Sequence, residues 1–301
     1  MTALDTSGQP LAGLDRAAEE RAADGFLEAL RADAATRVLV LAGDAAPLAA
    51  PERLHWVAPS DVPEGAEWAF LGRDPEGSAL LVAAFAAGES RPFDAPAHWA
   101  GLRVAGGLLA PAESDAFVTA LSLGRWLLDA AFCPACGTRC VLRNSGWSRH
   151  CPSCGREHFP RTDPAVIVAI TSATRPDHLL LGSNALWESA RFSCFAGFAE
   201  AGESLEAAVH REVREESGVE VVDVRYRGSQ AWPYPRSLML GFLATAVDDD
   251  AALADGEEIA SVRWFSRDEI GEALRGEGAV LLPGRASIAH RLISSWHAGK
   301  S

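Results

Sequence analysis

The sequence predicts an α+β fold. Strand-like apolar runs in the second half are mixed with a few helical segments and do not alternate regularly with them. A short insert bracketed by cysteines, Cys133 to Cys154, interrupts the chain. Ahead of it, short apolar runs punctuated by Gly, Pro and Asp have the pattern of a small β-rich domain. With 301 residues, 48% of them hydrophobic, the chain is long enough for more than one domain. The expected layout is a β-rich N-terminal domain with a connecting helix over 1–130, the cysteine insert over 131–160, and a third domain over 161–301.

The first 30 or so residues, rich in Ala, Asp and Glu, read as a loose leader with room for one helix. RVLVLAG, EWAFLG, ALLVAAFA and GLRVAGGLL follow as strand candidates, and Pro111 to Phe132 carries apolar residues at helical spacing. Beyond the insert, AVIVAI, HLLLG, VEVVDVRY, SLMLGFLATAV and SVRWF read as strands, with helices at Ser204–Ser217 and about Ala286–Trp296.

The formal net charge of −14 argues against a general grip on nucleic-acid backbone, which needs clustered Lys and Arg. It leaves room for a small phosphorylated ligand whose charge divalent cations offset. No stretch nears the roughly 18 to 20 apolar residues of a membrane span. The N-terminus shows no basic segment leading into an apolar one, so no signal peptide is expected. Two Cys-x-x-Cys pairs suit metal binding in a reducing compartment, and the expected location is cytoplasmic, with no membrane partner.

Cys133 and Cys136 form one pair, Cys151 and Cys154 the other, with 14 residues between them. Each pair places two thiolates on a tight turn, and two such turns make a tetrahedral cage for one structural Zn²⁺. Gly137 and Gly155 supply the backbone freedom those turns need. A closed four-cysteine site keeps no position open for water, so it is not catalytic. Cys140 is close enough to compete as a ligand but reads as incidental, and Cys194 reads as a small core residue.

The segment from Gly197 to Val219 carries the chemistry. Ser204 is placed to cap a helix and Gly218 to end it. Glu212, Glu215 and Glu216 stand at i, i+3 and i+4, on one helix face, beside an apolar stripe of Val209 and Val213. A solvated acidic face is the commonest fate of such a helix, and Arg211 and Arg214 could offset the repulsion. The fixed frame of Gly, Glu, Arg and aliphatic positions around the glutamates points elsewhere. The pattern G-x5-E-x7-R-E-U-x-E-E-x-G-U, with U aliphatic, is the Nudix box, and residues 197–219 match it at every position.

Downstream, Ser229 to Ser237 (SQAWPYPRS) reads as a loop stiffened by Pro233 and Pro235, presenting Trp232 and Tyr234 as flat stacking surfaces. It resembles the SQPWPFPxS motif of the NADH pyrophosphatase family of Nudix hydrolases, with Ala231 in place of proline and Tyr234 in place of phenylalanine. The cysteine insert matches that family's zinc ribbon. The resemblance covers about residues 130–298 well and the rest in outline.

The resemblance implies a Nudix α/β/α sandwich preceded by the zinc ribbon and the small β-rich domain. It also implies hydrolysis of the pyrophosphate of NADH or NAD to AMP and nicotinamide mononucleotide, and removal of NAD caps from RNA 5′ ends as a related activity. Mg²⁺ or Mn²⁺, two or three ions, would be held by Glu212 and Glu216, with Glu215 as ligand or base and Glu258 as the downstream ligand, or Glu257 if the register slips. Arg211 would orient a glutamate. Substrate contacts would come from Phe159, Ala196, Ala289, Arg103 and the segment Gln230, Ala231, Trp232, Pro233, Tyr234, Pro235, Arg236 and Ser237. Gly146 stands where some relatives carry an acidic contact, which is therefore missing. The family suggests a homodimer. The rival readings are a Nudix hydrolase of ADP-ribose or diadenosine polyphosphates, and a zinc-ribbon binding protein with an inactive Nudix domain.

Overall fold

The computed structural model describes residues 13–88, 90–187 and 190–299. The first twelve residues of the expected leader lie outside them; the helix foreseen there is α1, Phe26–Ala32. The chain divides into two compact units, one formed by Leu11–Arg161 with Pro233–Arg236, the other by Thr162–Trp232 with Ser237–Ser301.

In the N-terminal unit, β1 (Arg37–Ala42), β2 (Ala45–Ala50), β3 (Arg53–Leu54), β4 (Glu67–Arg73), β5 (Ala79–Phe85) and β6 (His98–Gly101) form one sheet. Its order is β3-β2-β1-β5-β4, with β6 on β2 and β1 parallel to β5. Past Arg37, the run VLVLA is apolar because β1 is covered on both faces. Leu39 and Leu41 meet the long helix, while Val38 and Val40 pack with Phe70, Leu81 and the α1 residue Leu30. GLRVAGGLL, expected as a strand, is instead the end of β6 running into the short helix α2 (Leu102–Ala105) and a turn. Arg103 and Val104 are exposed while Leu102 and Ala105 are buried, a helical spacing that a four-residue window and two glycines conceal. The connecting helix α3 (Pro111–Asp129) begins on Pro111, whose fixed φ suits a first turn. Gly124 lets α3 settle onto the sheet; a Cβ there would stand 3.0 Å from Leu41 and 3.2 Å from Ala84.

The cysteine insert carries β7 (Val141–Arg143), β8 (Ser148–His150) and β9 (Glu157–His158) as a three-stranded antiparallel sheet. The turn at Asn144–Gly146 packs on β4. Gly146 is buried at φ 93, and a Cβ would lie 2.3 Å from that of Ala69, so the packing against β4 leaves no room for a side chain there.

The C-terminal unit is a sheet ordered β13-β14-β10-β11-β15 with β12 on β10. Its strands are β10 (Asp163–Thr171), β11 (His178–Asn184), β12 (Phe195–Phe198), β13 (Val221–Trp232), β14 (Ser237–Ala246) and β15 (Ile259–Ser266). Helix α4 (Leu205–Ser217) covers one face; α5 (Arg267–Leu274) and α6 (Ile288–His297) cover the other. Along β10, Val166, Val168 and Ile170 meet α4, whereas Ile167 and Ala169 meet α6. That two-sided burial is the expected α/β/α sandwich. Among the described residues no helix is long and apolar enough to cross a membrane.

Candidate active site

Helix α4 carries the acidic cluster, and its ends are fixed as the sequence implies. The Ser204 hydroxyl accepts the Ala207 N–H at 3.1 Å, and Gly218 closes the helix at φ 70. Ala208, Val209 and Val213 are fully buried against the sheet. Burial of each valine side chain contributes about 1.5–3 kcal/mol, so the apolar stripe fixes which way the glutamates face.

The three glutamates meet three environments. Glu215 has an exposed side chain (54%) and bonds to Arg211 at 3.1 Å. Glu212 lies directly on Gly197 of β12; a Cβ at that glycine would stand 2.0 Å from the carboxyl carbon. Glu216 is only 5% exposed, with one oxygen accepting the Ala196 N–H at 3.2 Å. Burial, then the charge of Glu258, pushes the Glu216 carboxyl up to about 8, against the Ala196 hydrogen bond. Burial also raises Glu212, opposed by its bond to Arg211.

Arg211 spends its five donors locally. It grips Glu203 with two bonds of 2.9 and 2.8 Å, and gives one each to Glu212 (2.8 Å), Glu215 (3.1 Å) and the Phe198 carbonyl (2.9 Å). The bidentate contact foreseen for Arg211 therefore falls on Glu203, whose carboxyl it holds down at about 2.

The charge of Glu258 adds to the upward shifts of both Glu212 and Glu216. The sequence reading missed Asp255, which organises that loop. Its carboxylate accepts the N–H groups of Glu257 (3.0 Å), Glu258 (3.1 Å) and Ile259 (2.8 Å), and these bonds, that of Ile259 foremost, lower its pKa. The Asp-Gly pair, with Gly256 at φ 77, was the available signal.

The largest electrostatic neighbours of Glu216 are acidic, and the donors are hard carboxylate oxygens, a set that fits Mg²⁺ or Mn²⁺. Among the described residues, three or more His, Cys, Asp or Glu ligand atoms come within 4.8 Å of one another only in the ribbon; the glutamates keep a wider spacing. In the ribbon, Cys133, Cys136, Cys151 and Cys154 gather, with sulfur pairs at 3.7 and 3.5 Å. Gly137 (φ 72) and Gly155 (φ 71) donate back to the Cys133 and Cys151 carbonyls, closing each turn. These four soft thiols fit tetrahedral Zn²⁺. Cys140 is less incidental than expected, since it joins Cys133 and His158 in a second close group, with the His158 ring 3.3 Å from the Cys133 sulfur. Cys194 is a core thiol, pushed up to about 12 by burial.

The segment expected as a loop is mostly strand. β13 runs through Trp232 and β14 resumes at Ser237, with Ala231 paired to Leu238; only Pro233–Arg236 turns. Pro233 and Pro235, which stand in the turn just after β13, outweighed the alternation of Ser229–Trp232 in the sequence. Gln230 is committed to the start of α6, donating to the Ala286 carbonyl (2.7 Å) and accepting the Ile288 N–H (2.6 Å). Ala289 is buried in the core beneath it, and the Ala196 amide is taken by Glu216. Tyr234 is not a free stacking surface. Its half-buried ring packs on the N-terminal core, with the Arg103 guanidinium 4.2 Å and that of Arg125 5.3 Å from its centre. Phe159, 51% exposed, lines a groove of about 240 Å³ together with Trp126, Arg125, Arg161, Pro235 and Arg236.

Residues 161–283 match the NUDIX domain family, and residues 129–159 match the NADH pyrophosphatase zinc ribbon domain. The chain is also 41% identical, over 289 residues, to the NAD-capped RNA hydrolase NudC of Mycobacterium tuberculosis, spanning 93% of this chain and 89% of that protein. The chain belongs to the NADH pyrophosphatase family of Nudix hydrolases. The NAD-capped RNA hydrolase NudC of Stutzerimonas stutzeri is 38% identical over 206 residues, 67% of this chain and 69% of its own. A solved NUDIX hydrolase from Nitrosomonas europaea covers 46% of this chain and 91% of its own, with 28% identity and a TM-score of 0.36. Physical reasons for several Nudix-box positions are visible here. Gly197 makes room for Glu212, Glu203 locks Arg211, and Gly218 ends the helix.

Proposed function

We propose that this Nudix hydrolase cleaves the pyrophosphate of NADH and NAD, giving AMP and nicotinamide mononucleotide, and removes NAD caps from RNA 5′ ends. One observation carries the reading. Glu212 and Glu258 place their charges beside the buried Glu216 carboxyl, and Arg211 is divided among Glu203, Glu212 and Glu215, so cations bound at Glu216 would meet an unbalanced negative field.

Glu212, Glu216 and Glu258 would hold Mg²⁺ or Mn²⁺, two or three ions, with Glu215 at the solvent side as ligand or base. Bound there, the cations supply charge neutralisation for the diphosphate and acidify a water for in-line attack on phosphorus. Arg211 fixes the helix face, and the Ala196 amide orients Glu216. By the family resemblance, dinucleotide contacts are proposed for Phe159, Arg103, Ala196, Ala289 and the segment Gln230–Ser237. Within it, Gln230 secures the base of the hairpin and Tyr234 its turn.

Capped RNA is supported by the two NudC relatives and by the ribbon's surface. Arg139, Arg143, Arg156 and Arg161 are exposed there, with Arg139 3.9 Å from Glu67 and with Asp129 and Glu157 as the acidic residues near them in sequence, a local excess of positive charge in a chain of net charge −14. The three-part division at 130 and 160, a homodimer and a cytoplasmic location belong to the same proposal and rest on the family resemblance.

The test is a product assay by mass with Mn²⁺ or Mg²⁺ and NADH, NAD, ADP-ribose, diadenosine polyphosphates and NAD-capped RNA. AMP with nicotinamide mononucleotide from NADH is the expected outcome. Turnover confined to ADP-ribose or diadenosine substrates would replace the reading with the rival Nudix one, and no turnover at all with the inactive-domain one.

A further inference from the structure

The N-terminal unit contains a closed chain of contacts around the hairpin turn. Asp44 occupies the turn between β1 and β2 and takes the Arg125 guanidinium of α3 in two bonds, 2.8 and 2.5 Å. That grip leaves Nη1 of Arg125 directed at the Pro235 carbonyl, at 3.5 Å, with its guanidinium carbon 5.3 Å from the Tyr234 ring centre. Arg103 of α2 stacks on the same ring at 4.2 Å, and its backbone N–H bonds to the Tyr234 phenol oxygen. Two separate elements, α2 and α3, thus meet one side chain of the turn, and Asp44 holds the second of them in place.

We infer that Asp44 and Arg125 are positioning residues for dinucleotide recognition: with Arg103 they clamp Tyr234 and Pro235, fixing the turn between Trp232 and Ser237. A cation over an aromatic face is favourable, and the bidentate Asp44 contact removes most of the freedom Arg125 would otherwise have. The phenol gives the clamp a hydrogen bond that phenylalanine cannot make. Ala231, where proline would have stiffened the approach to the turn, raises the share of the restraint that falls to the clamp. The N-terminal domain then has a function in recognition without touching the reacting atoms. Gln230, tied to the start of α6, fixes the hairpin farther down; the clamp fixes its tip.

The inference rests on the substrate reading above, so its test includes a readout that needs no substrate. Arg236 is exposed in the turn, so trypsin cleavage after it reports the turn's mobility. Asp44→Asn and Arg125→Met are expected to accelerate that cut about tenfold while other sites and zinc content stay as in wild type. With NADH and Mn²⁺, KM should rise about 5–10-fold with kcat within about twofold, the split expected when positioning rather than chemistry is lost. Tyr234→Phe should show a smaller KM effect, restored by adding Ala231→Pro. Unchanged cleavage after Arg236 together with unchanged KM in Asp44→Asn and Arg125→Met would overturn the clamp. A wild-type enzyme inert on NADH whose Arg236 cleavage still responds to these variants would overturn the substrate reading and leave the clamp standing.

Discussion

The ribbon and the carboxylate helix are two clusters in one chain whose donors suit metal ions, and they differ in how closely their side chains are gathered. In the ribbon, four thiols already lie within 4.8 Å of one another, drawn in by two glycine turns. Thiols are neutral when protonated, so gathering them costs little. On α4 the carboxylates keep a wider spacing, and burial leaves Glu216 with a pKa raised to about 8. Burial and the charges of Glu258 and Glu212 favour a proton on Glu216, and cations bound there would relieve the same tension. The first design completes a fold; the second is poised for chemistry.

The sharpest way to break that comparison is to exchange the losses. Glu216→Gln should lower kcat on the order of 10³-fold with zinc content and melting temperature retained, whereas Cys151→Ser should abolish zinc binding and destabilise the ribbon. Metal analysis beside steady-state kinetics separates the two, and loss of zinc in Glu216→Gln would show that the sites are not independent. Next comes Gly197→Ala. Its Cβ would coincide with the Glu212 carboxyl, so activity should fall about 10–100-fold while the zinc site is untouched. Wild-type activity in that variant would mean that Glu212 is not needed where it stands.

The smallest effect is on stability against pH. A carboxyl whose folded pKa lies above its unfolded value of about 4.5 stabilises the fold most below that value, and the contribution is lost as pH rises towards 8. Metal-free protein should therefore melt several degrees lower at pH 8 than at pH 5.5 in the part of the profile due to Glu216. Mg²⁺ or Mn²⁺ should restore stability mainly at the alkaline end. Glu216→Gln should flatten both trends in calorimetry; a profile identical to wild type would remove the tension argued for this site.

Much of this was legible in the chain because it depends on neighbours in sequence. Helix α4 announces itself through Ser204, Gly218 and the Val209–Val213 stripe, and the cysteine turns through spacing and Gly137 and Gly155. Elements buried on both faces, such as β1 and β10, were equally plain as unbroken apolar runs. GLRVAGGLL was misread because α2 is one turn long and two glycines interrupt its pattern. Ser229–Trp232 was read as loop because prolines at 233 and 235 outweighed the alternation leading up to them.

By itself, then, the sequence determined the helix that carries the acids and the two cysteine turns, since both follow from local periodicity, capping and spacing, while the layered sandwich was expected from the resemblance of residues 197–219 to the Nudix box. Tertiary structure alone decided which carboxylate is buried, that Glu203 takes the bidentate grip of Arg211, that Asp255 shapes the Glu258 loop, and that Tyr234 is held between Arg103 and Arg125. Burial of Glu216 and the contacts of Tyr234 depend on residues far apart in the chain, and even where the partners are close, as with Glu203 and Arg211 or Asp255 and Glu258, only the folded backbone decides which of several candidates meet.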